Sequence, residues 1–377
     1  MTVPFLDVKA VHAELGPLIE QAMCRVARSG WYLLGPELAE FESEFAAYCE
    51  TSHCVGVGSG ADALELTLRA LDVGRGDEVI VPSHTFIATW LAVSAVGATP
   101  VPVEPDERWS TMDPDRVSAA VTSRTRVIMP VHLYGHPADL EPIERVAERH
   151  GLAVVDDAAQ AHGARYHGQR VGSRATATAF SFYPGKNLGA LGDGGAVVTS
   201  DAALADRVRM LRNYGSRQKY RHEVRATNSR LDEVQAAALR VKLGHLDSWN
   251  ARRRSVATRY RAELAGIEGI TLPSVASWAN PVWHLFVIRC GARDRLRELL
   301  SARGIDTLVH YPVPNHLAQA YADHGWTRGS FPRAESLARE VLSLPMGPHM
   351  PEHDVTSVVE AVRVAAGELP RPLEQAA

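Results

Sequence analysis

Hydrophobic and polar positions alternate along most of the chain in a pattern that predicts strands and helices in turn. From residue 53, short apolar runs typical of buried strands are followed by longer segments whose apolar residues recur every three or four positions. This alternation predicts an α/β fold with a mostly parallel sheet covered by helices on both faces. The predicted strands are HCVGVG (53–58), DEVIVP (77–82), TPVPVE (99–104), TRVIMPVHLYG (125–135), LAVVDDA (152–158), ATAFSFY (177–183) and GGAVVTS (194–200), and the predicted helices are ADALELTLRAL (61–71), FIATWLAVSAV (86–96), DLEPIERVAERHG (139–151) and DAALADRVRMLRN (201–213).

The pattern changes after about residue 245. A charged helical segment leads to an isolated strand, and helix, strand and helix patterns then follow to the end. We therefore predict a large domain over residues 1–245 and a smaller C-terminal α+β domain over residues 246–377. Its predicted elements are the helix 246–264, the strand 283–289, the helix 293–304, the strand 305–312 and the helices 334–345 and 354–367.

Composition and charge exclude several classes of protein. A formal net charge of −4 over 377 residues gives no electrostatic reason to bind nucleic acid. The uncharged run 86–103 contains polar residues and two prolines, which favours a helix followed by a strand over a membrane span. The N-terminus does not resemble a signal peptide, and the four cysteines lack the C-x-x-C spacing of a zinc site. We expect a cytoplasmic protein without a metal.

Lysine is scarce, which draws attention to Lys186. Only four of the 40 basic residues are lysines. Lysine, unlike arginine, loses its proton readily and then acts as an amine nucleophile. Lys186 lies in the glycine-rich stretch SFYPGKNLGALGDGG (181–195), where it could hold a phosphate, pair with a carboxylate or bond covalently to a cofactor. A nucleotide-binding P-loop is excluded, because Phe180 stands where that motif needs glycine and Asn187 follows the lysine.

Two further segments place reactive groups at predicted strand ends. In GSGADAL (58–64), a glycine-rich turn leads into a helix whose free backbone N–H groups favour a phosphate, although such turns also form for steric reasons. In VVDDAAQAHG (154–163), Asp156 and Asp157 end an apolar strand, and alternation along a strand leaves one of them facing the site. A helix cap or a surface ion pair is the alternative for these carboxylates.

Together these features fit pyridoxal 5′-phosphate (PLP), a cofactor whose aldehyde carbon accepts an amino group in exchange for its oxygen, giving pyridoxamine 5′-phosphate as the other form in the cycle. PLP needs a lysine amine, a helix N-terminus for its phosphate, a carboxylate beside its ring nitrogen and an aromatic face against its ring. The chain offers Lys186, the Gly60–Ala61 amides, Asp157 and Phe86 for these four roles.

The sequence resembles the DegT/DnrJ/StrS-type sugar aminotransferases, which belong to fold type I of the PLP enzymes. The resemblance runs from FLDVKA (5–10) to LSLPMGPHM (342–350). It is carried by five motifs, VGSGADALELTLRAL (57–71), GDEVIVPSHTFIAT (76–89), VVDDAAQAHGA (154–164), FSFYPGKNLGALGDGGAVVT (180–199) and NSRLDEVQAA (228–237). The family's lysine is sometimes replaced by histidine in dehydratases, and Lys186 argues against that activity here.

The resemblance implies a role for each matching residue. Lys186 forms the covalent bond to the cofactor, Asp157 pairs with the ring nitrogen, and Phe86 stacks on the ring. The other cofactor contacts that it implies are Gln160 to the ring hydroxyl, Gly60, Ala61 and Ser181 to the phosphate, and Asn228 to the phosphate of a neighbouring subunit in a homodimer with shared active sites. Ala226 stands where relatives often have glycine, which makes the transfer of Asn228 the least direct.

Two segments resemble the branch that acts at C-3 of dTDP-3-keto-6-deoxyhexoses. They are RNYGSRQKYRHEVRATNSRLDE (212–233) and HYPVPNHLAQAY (310–321). The resemblance implies a dTDP-ketosugar substrate and glutamate as amino donor, in an antibiotic-type deoxyaminosugar pathway. Lys219, Tyr220 and His316 are candidate sugar or nucleotide contacts, with ordinary polar positions as the alternative. Amination at C-4 and a non-catalytic PLP-binding regulator are the alternative functions.

Overall fold

The computed structural model describes residues 2–369 and is built around a seven-stranded sheet. The strands are β1 His53–Val57, β2 Glu78–Pro82, β3 Thr99–Val103, β4 Thr125–Ile128, β5 Ala153–Asp157, β6 Arg165–Tyr166, β7 Gln169–Arg170, β8 Ala177–Ser181, β9 Gly195–Thr199, β10 Ala279–Asn280, β11 Phe286–Arg289 and β12 Val341–Leu344. The order in the large sheet is β1-β9-β8-β5-β4-β2-β3, and within it only β9 runs antiparallel to its neighbours. The predicted α/β class with a mostly parallel sheet is confirmed.

The helices follow the amphipathic segments and the capping residues of the sequence. The αL residue Gly151 ends the sixth helix, as expected for glycine at that position. Asp201 caps the seventh, accepting from the backbone N–H of Ala203 (2.8 Å) and of Leu204 (3.1 Å). The helices are α1 Lys9–Ser29, α2 Pro36–Tyr48, α3 Gly60–Ala70, α4 Ala88–Ala95, α5 Pro114–Ala120, α6 Leu140–His150, α7 Ala202–Leu211, α8 Glu233–Leu243, α9 Leu246–Glu263, α10 Arg293–Ala302, α11 Pro332–Glu340 and α12 Glu352–Gly367.

Apolar side chains cover both faces of the large sheet. Val55 and Val57 of β1 belong to the core beneath α3, α4 and α7, whereas Cys54, which precedes Val55, belongs to the core beneath α2 and α8. Phe41 and Phe45 of α2 are completely buried in the second of these cores. Full burial of a large apolar side chain contributes about 1.5–3 kcal/mol, and these layers hold the strand ends in fixed positions.

A separate core forms in the C-terminal part of the chain. It joins α9, α10 and α12 to the antiparallel pair β11 and β12, and the N-terminal residue Val3 also packs there. The predicted division between residues 245 and 246 falls between α8 and α9. We retain that domain boundary as a proposal, with the first residues of the chain packing on the C-terminal unit.

Three of the predicted segments differ from the structure. The strand predicted over 125–135 ends at Ile128, and a 3₁₀ turn follows at residues 133–135. The segment predicted as a strand over 305–312 forms two isolated bridges, from Ile305 to Val3 and from Leu308 to Ser343. The second strand of the small sheet is instead Val341–Leu344. Residues 341–344 belong to the helix predicted over 334–345. They form a strand because all four are buried and pair with β11, and this tertiary burial overrides the local helical pattern.

The parallel arrangement brings four loops to one edge of the large sheet. β1, β2, β5 and β8 all point the same way, and their carboxyl ends lead into the loops that begin at Gly58, Ser83, Ala158 and Phe182. Open sheets of this kind bind ligands beyond the carboxyl ends of their strands. Across residues 2–369, none of the helices combines the length and apolar character that a bilayer span requires.

Candidate active site

The turn between β1 and α3 packs directly against the end of β8. The Ser59 side chain caps α3 by accepting from the backbone N–H of Asp62 at 3.1 Å, which leaves the Gly60 and Ala61 amides at the helix N-terminus. A Cβ atom added at Gly60 would lie 2.5 Å from the Ser181 Cβ, so only glycine permits this approach. The structure therefore brings together three of the four residues predicted to bind phosphate, Gly60, Ala61 and Ser181.

Asp157 is a buried carboxylate at the end of β5. Its Oδ2 accepts a hydrogen bond from the Thr89 hydroxyl at 2.8 Å, and its Oδ1 accepts from the Ala159 backbone N–H at 3.1 Å. Burial raises the pKa of Asp157, whereas these two donors and the nearby charge of Lys186 lower it. Asp157 thus lies near the Lys186 amine, and its carboxylate oxygens can still accept a hydrogen bond from a further donor.

Asp156 has different surroundings from its neighbour. Its Oδ2 lies 3.1 Å from Nε2 of His132, and both side chains are completely buried. His132 Nδ1 accepts from the Ala138 backbone N–H, which leaves the proton on Nε2 beside Asp156. As the alternation of strand side chains predicts, the two adjacent carboxylates have separate partners.

Lys186 lies in the loop after β8, with its amine near Asp157. Burial lowers the pKa of Lys186 to about 8, and the charge of Asp157 opposes that shift. A lysine with a pKa near 8 is about half neutral at that pH, whereas an exposed lysine is almost entirely protonated. The neutral amine is the form that attacks a carbonyl carbon.

Buried polar contacts hold the Lys186 loop on both sides. Lys242 of α8 donates to the Gly189 carbonyl at 2.6 Å, and a Cβ at Gly189 would lie 2.3 Å from the Pro184 carbonyl oxygen. Asn187 donates to the Asn250 side-chain oxygen at 2.9 Å. Of the four lysines of the chain, Lys186 lies in this loop and Lys242 holds it by a hydrogen bond. The role of Lys242 was not predicted.

Gln160 joins the site to an aromatic wall. Its Oε1 accepts from the Tyr134 backbone N–H at 2.6 Å, and its Nε2 donates to the Tyr311 hydroxyl at 3.0 Å. The Phe86 ring lies 5.4 Å from the Tyr311 ring between centroids and is about half exposed. Phe86 thus offers a free aromatic face beside Gln160.

The remaining predicted contacts lie on the long segment between α7 and α8. Asn228 is exposed, while its neighbour Ser229 accepts from the Gly58 backbone N–H at 2.9 Å and ties the segment to the α3 turn. Lys219 and Tyr220 are exposed on the same segment, where the lysine amine lies 5.1 Å from the Tyr220 ring centre. In a single chain both side chains face solvent, and their substrate roles stay predictions.

His316 occupies a different environment from these exposed residues. It is almost completely buried, and its Nε2 lies 3.1 Å from the Glu335 carboxylate. Its ring also packs on Phe331, at 4.9 Å between centroids. These contacts give His316 a place in the packing of residues 315–335, and its assignment as a substrate contact rests on the sequence resemblance alone.

Comparison with known proteins identifies the family. The family model described as "DegT/DnrJ/EryC1/StrS aminotransferase family" matches residues 14–363. The chain belongs to this family. The resemblance inferred from the sequence motifs is therefore confirmed, and so is aminotransferase as the class of enzyme.

Two curated relatives match this family member over nearly their whole length. The erythromycin biosynthesis sensory transduction protein EryC1 of Saccharopolyspora erythraea is 64% identical, over 97% of this chain and 100% of its own. The dTDP-3-amino-3,4,6-trideoxy-alpha-D-glucose transaminase of Streptomyces venezuelae is 63% identical, over 96% of this chain and 95% of its own.

A solved structure agrees with the fold closely. The crystal structure of S. venezuelae DesV in complex with a ketimine intermediate has a TM-score of 0.97 and 62% identity, and covers 98% of this chain and 100% of its own. A Bacillus subtilis structure, NtdA with bound cofactor PMP, has a TM-score of 0.91 and 30% identity, over 97% of this chain and 85% of its own. These matches confirm fold type I.

Proposed function

We propose that this family member is a PLP-dependent aminotransferase that converts a dTDP-3-keto-6-deoxyhexose into the dTDP-3-amino sugar. One observation carries the proposal, namely the buried Lys186 amine beside the Asp157 carboxylate at the sheet edge. We place the reaction in the cytoplasm and in a deoxyaminosugar pathway of the antibiotic type, with glutamate as amino donor.

The residues fit the cofactor in shape and in chemistry. The close approach of Gly60 to Ser181 leaves backbone amides and a hydroxyl where a phosphate needs donors. The half-exposed Phe86 side chain would stack on the pyridine ring of the cofactor. Gln160, which like Phe86 contacts Tyr311, would bond the hydroxyl of that pyridine ring. These residues, with Asp157 and Lys186, form the proposed cofactor site.

The proposed mechanism follows from two charges. When bound, the cofactor supplies an electron sink for the charge that develops on the substrate carbon. Asp157 would keep the ring nitrogen protonated, because an ion pair at about 3 Å and an effective dielectric of ~20 would be worth roughly 5 kcal/mol. The Lys186 amine, with its pKa lowered to about 8, takes up and returns a proton as general base and acid.

The assignment to C-3 is supported by named relatives and by the sequence. The S. venezuelae relative and a 51% identical relative from Aneurinibacillus thermoaerophilus are both named as transaminases of dTDP-3-amino sugars. We propose that Lys219 and Tyr220, and less directly His316, contact the sugar nucleotide. Amination at C-4 is the alternative reaction at the same site.

An exposed apolar surface supports a homodimer with shared sites. Residues Trp31 to Leu34 are exposed, and so is Leu191. The two segments adjoin, because the Tyr32 carbonyl accepts from the Glu233 N–H at 3.1 Å and the Gln235 side chain accepts from the Leu191 N–H at 2.7 Å. Monomers rarely expose contiguous patches of this kind. We propose that a second copy covers it and brings Asn228 to the neighbouring phosphate site.

Sedimentation equilibrium tests the proposed dimer. We expect about twice the chain mass at micromolar concentration, and a shift towards the monomer in Trp31→Asp, which places a charge in the centre of the patch. Glu20→Gln, at an exposed position of α1, is the matched control. A monomeric wild-type protein would contradict the proposal.

Incubation with glutamate alone distinguishes an aminotransferase from a non-catalytic PLP-binding regulator, the alternative suggested by the name of the relative EryC1. When glutamate is added to the purified protein loaded with PLP, we expect the bound PLP to become pyridoxamine phosphate. One molecule of 2-oxoglutarate should be released per site. The measurement is the loss of PLP absorbance together with the 2-oxoglutarate yield. PLP that stays unconverted in saturating glutamate would favour the regulator.

A further inference from the structure

Two threonines lie in line behind the Asp157 carboxylate. The Thr89 hydroxyl donates to Asp157 Oδ2 at 2.8 Å, and the Thr85 hydroxyl lies 2.9 Å from the Thr89 hydroxyl. All three side chains are buried, with Thr89 completely so. Thr89 lies in the first turn of α4 and Thr85 in the loop that leads into it.

The direction of the hydrogen bonds is fixed by counting protons. A hydroxyl has one proton to donate and an ionised carboxylate only accepts. Because the Thr89 proton points to Asp157, the Thr89 oxygen must accept from Thr85. The order is therefore Thr85 to Thr89 to Asp157, and each bond in such a chain polarises the next.

We propose that Thr85 and Thr89 are positioning residues that keep Asp157 ionised and aimed at the ring nitrogen of the cofactor. This inference rests on the proposed function. A hydrogen bond to a charged acceptor is roughly twice as strong as one between neutral groups, so the chain favours the charged carboxylate over the neutral acid.

The other groups around Asp157 show why a neutral donor is needed. Lys186 and His132 are the cationic or titratable groups that lower its pKa, and Tyr311 is the nearby phenol. Lys186 is committed to the reaction and changes its charge there, whereas a threonine hydroxyl keeps its proton across the working pH range. The two threonines thus supply a constant stabilisation of the carboxylate that Lys186 does not.

The same turn also places the aromatic face of the site. Phe86 stands between the two threonines in sequence, and its carbonyl accepts from the Thr89 backbone N–H at 3.2 Å. Asn315 donates to the Thr85 carbonyl at 3.2 Å and fixes the turn from residues 310–321. Residues 85–89 therefore position both the Asp157 carboxylate and the Phe86 ring, which flank the proposed cofactor position.

The test is the affinity of the apoprotein for PLP as a function of pH, measured by equilibrium titration of the bound absorbance. Protonation of Asp157 removes its attraction for the ring nitrogen, so affinity falls as the pH drops through the pKa of Asp157. Thr89→Val removes the donor, raises that pKa and moves the fall to higher pH. We expect about tenfold weaker binding at pH 7.

Two further variants separate the donor chain from simple packing. Thr89→Ser keeps the hydroxyl and loses the methyl group, and should reproduce the wild-type curve. Thr85→Val leaves the hydrogen bond from Thr89 to Asp157 in place, so it should shift the pH dependence of PLP affinity in the same direction by a smaller amount. This variant also tests the donor chain if Thr89→Val does not fold.

The outcomes distinguish this inference from the proposed function. Wild-type protein that does not bind PLP would contradict the proposed function itself. Wild-type protein that binds PLP, with Thr89→Val and Thr85→Val following the same pH curve, would overturn the donor chain alone. Equal weakening by Thr89→Val and Thr89→Ser at every pH would also overturn it, because packing then accounts for the effect.

Discussion

We expect the replacement of Lys186 with alanine to abolish turnover and the absorbance of covalently bound PLP. Alanine removes both the amine that bonds to the cofactor and the group that moves the proton. General acid–base catalysis alone contributes up to about 10⁴-fold, and we expect a loss of at least that size in kcat. Steady-state kinetics and the absorption spectrum of the purified variant measure the two effects.

Two controls make the Lys186 result specific. Lys186→Arg keeps a positive charge in the loop but has no nucleophilic amine, and should be as inactive as the alanine variant. Lys9→Ala removes an exposed lysine in the first turn of α1 and should leave kcat within about twofold. An active Lys186→Ala variant with a normal absorbance would contradict the assignment.

Asp157→Asn gives the second largest effect. The amide has nearly the same shape but no charge to hold the ring nitrogen protonated. Removing an interaction of roughly 5 kcal/mol corresponds to a rate lower by about 5 × 10³-fold. The wild-type enzyme should lose activity as the pH falls through the pKa of Asp157, which burial raises, because the protonated acid no longer pairs with the ring.

Asp156→Asn is the matched control for Asp157. It changes the adjacent residue of the same strand, whose partner is His132. We expect its kcat to stay within a few fold of wild type when measured at equal cofactor loading. Equal losses in the two variants would contradict the separate roles of these carboxylates.

Much of the fold could be predicted from local patterns. The strands that form the large sheet are short apolar runs bounded by glycine, proline or polar residues, and the helices between them carry regular apolar stripes. The exceptions arose where burial competed with local preference. Residues 341–344 continue a helical pattern in sequence but form a strand, because β11 offers them a buried partner.

The predicted site residues came together where topology alone decides their position. Asp157 and Ser181 end parallel strands and Gly60 lies just after another, and the carboxyl ends of such strands share one edge. Thr89, Tyr311 and Lys242 could not be predicted from spacing, since each acts through a contact with a residue distant in sequence. The sequence offered one indication for Thr89, which ends the family motif GDEVIVPSHTFIAT (76–89).

The most direct test of the account is the identity of the product formed from glutamate and dTDP-3-keto-6-deoxyglucose or its C-4 epimer, determined by NMR. The account predicts a new amine on C-3, formed together with 2-oxoglutarate in a one-to-one ratio, and none from the corresponding 4-keto sugar. An amine on C-4, or no aminated sugar from any of these substrates, would contradict it.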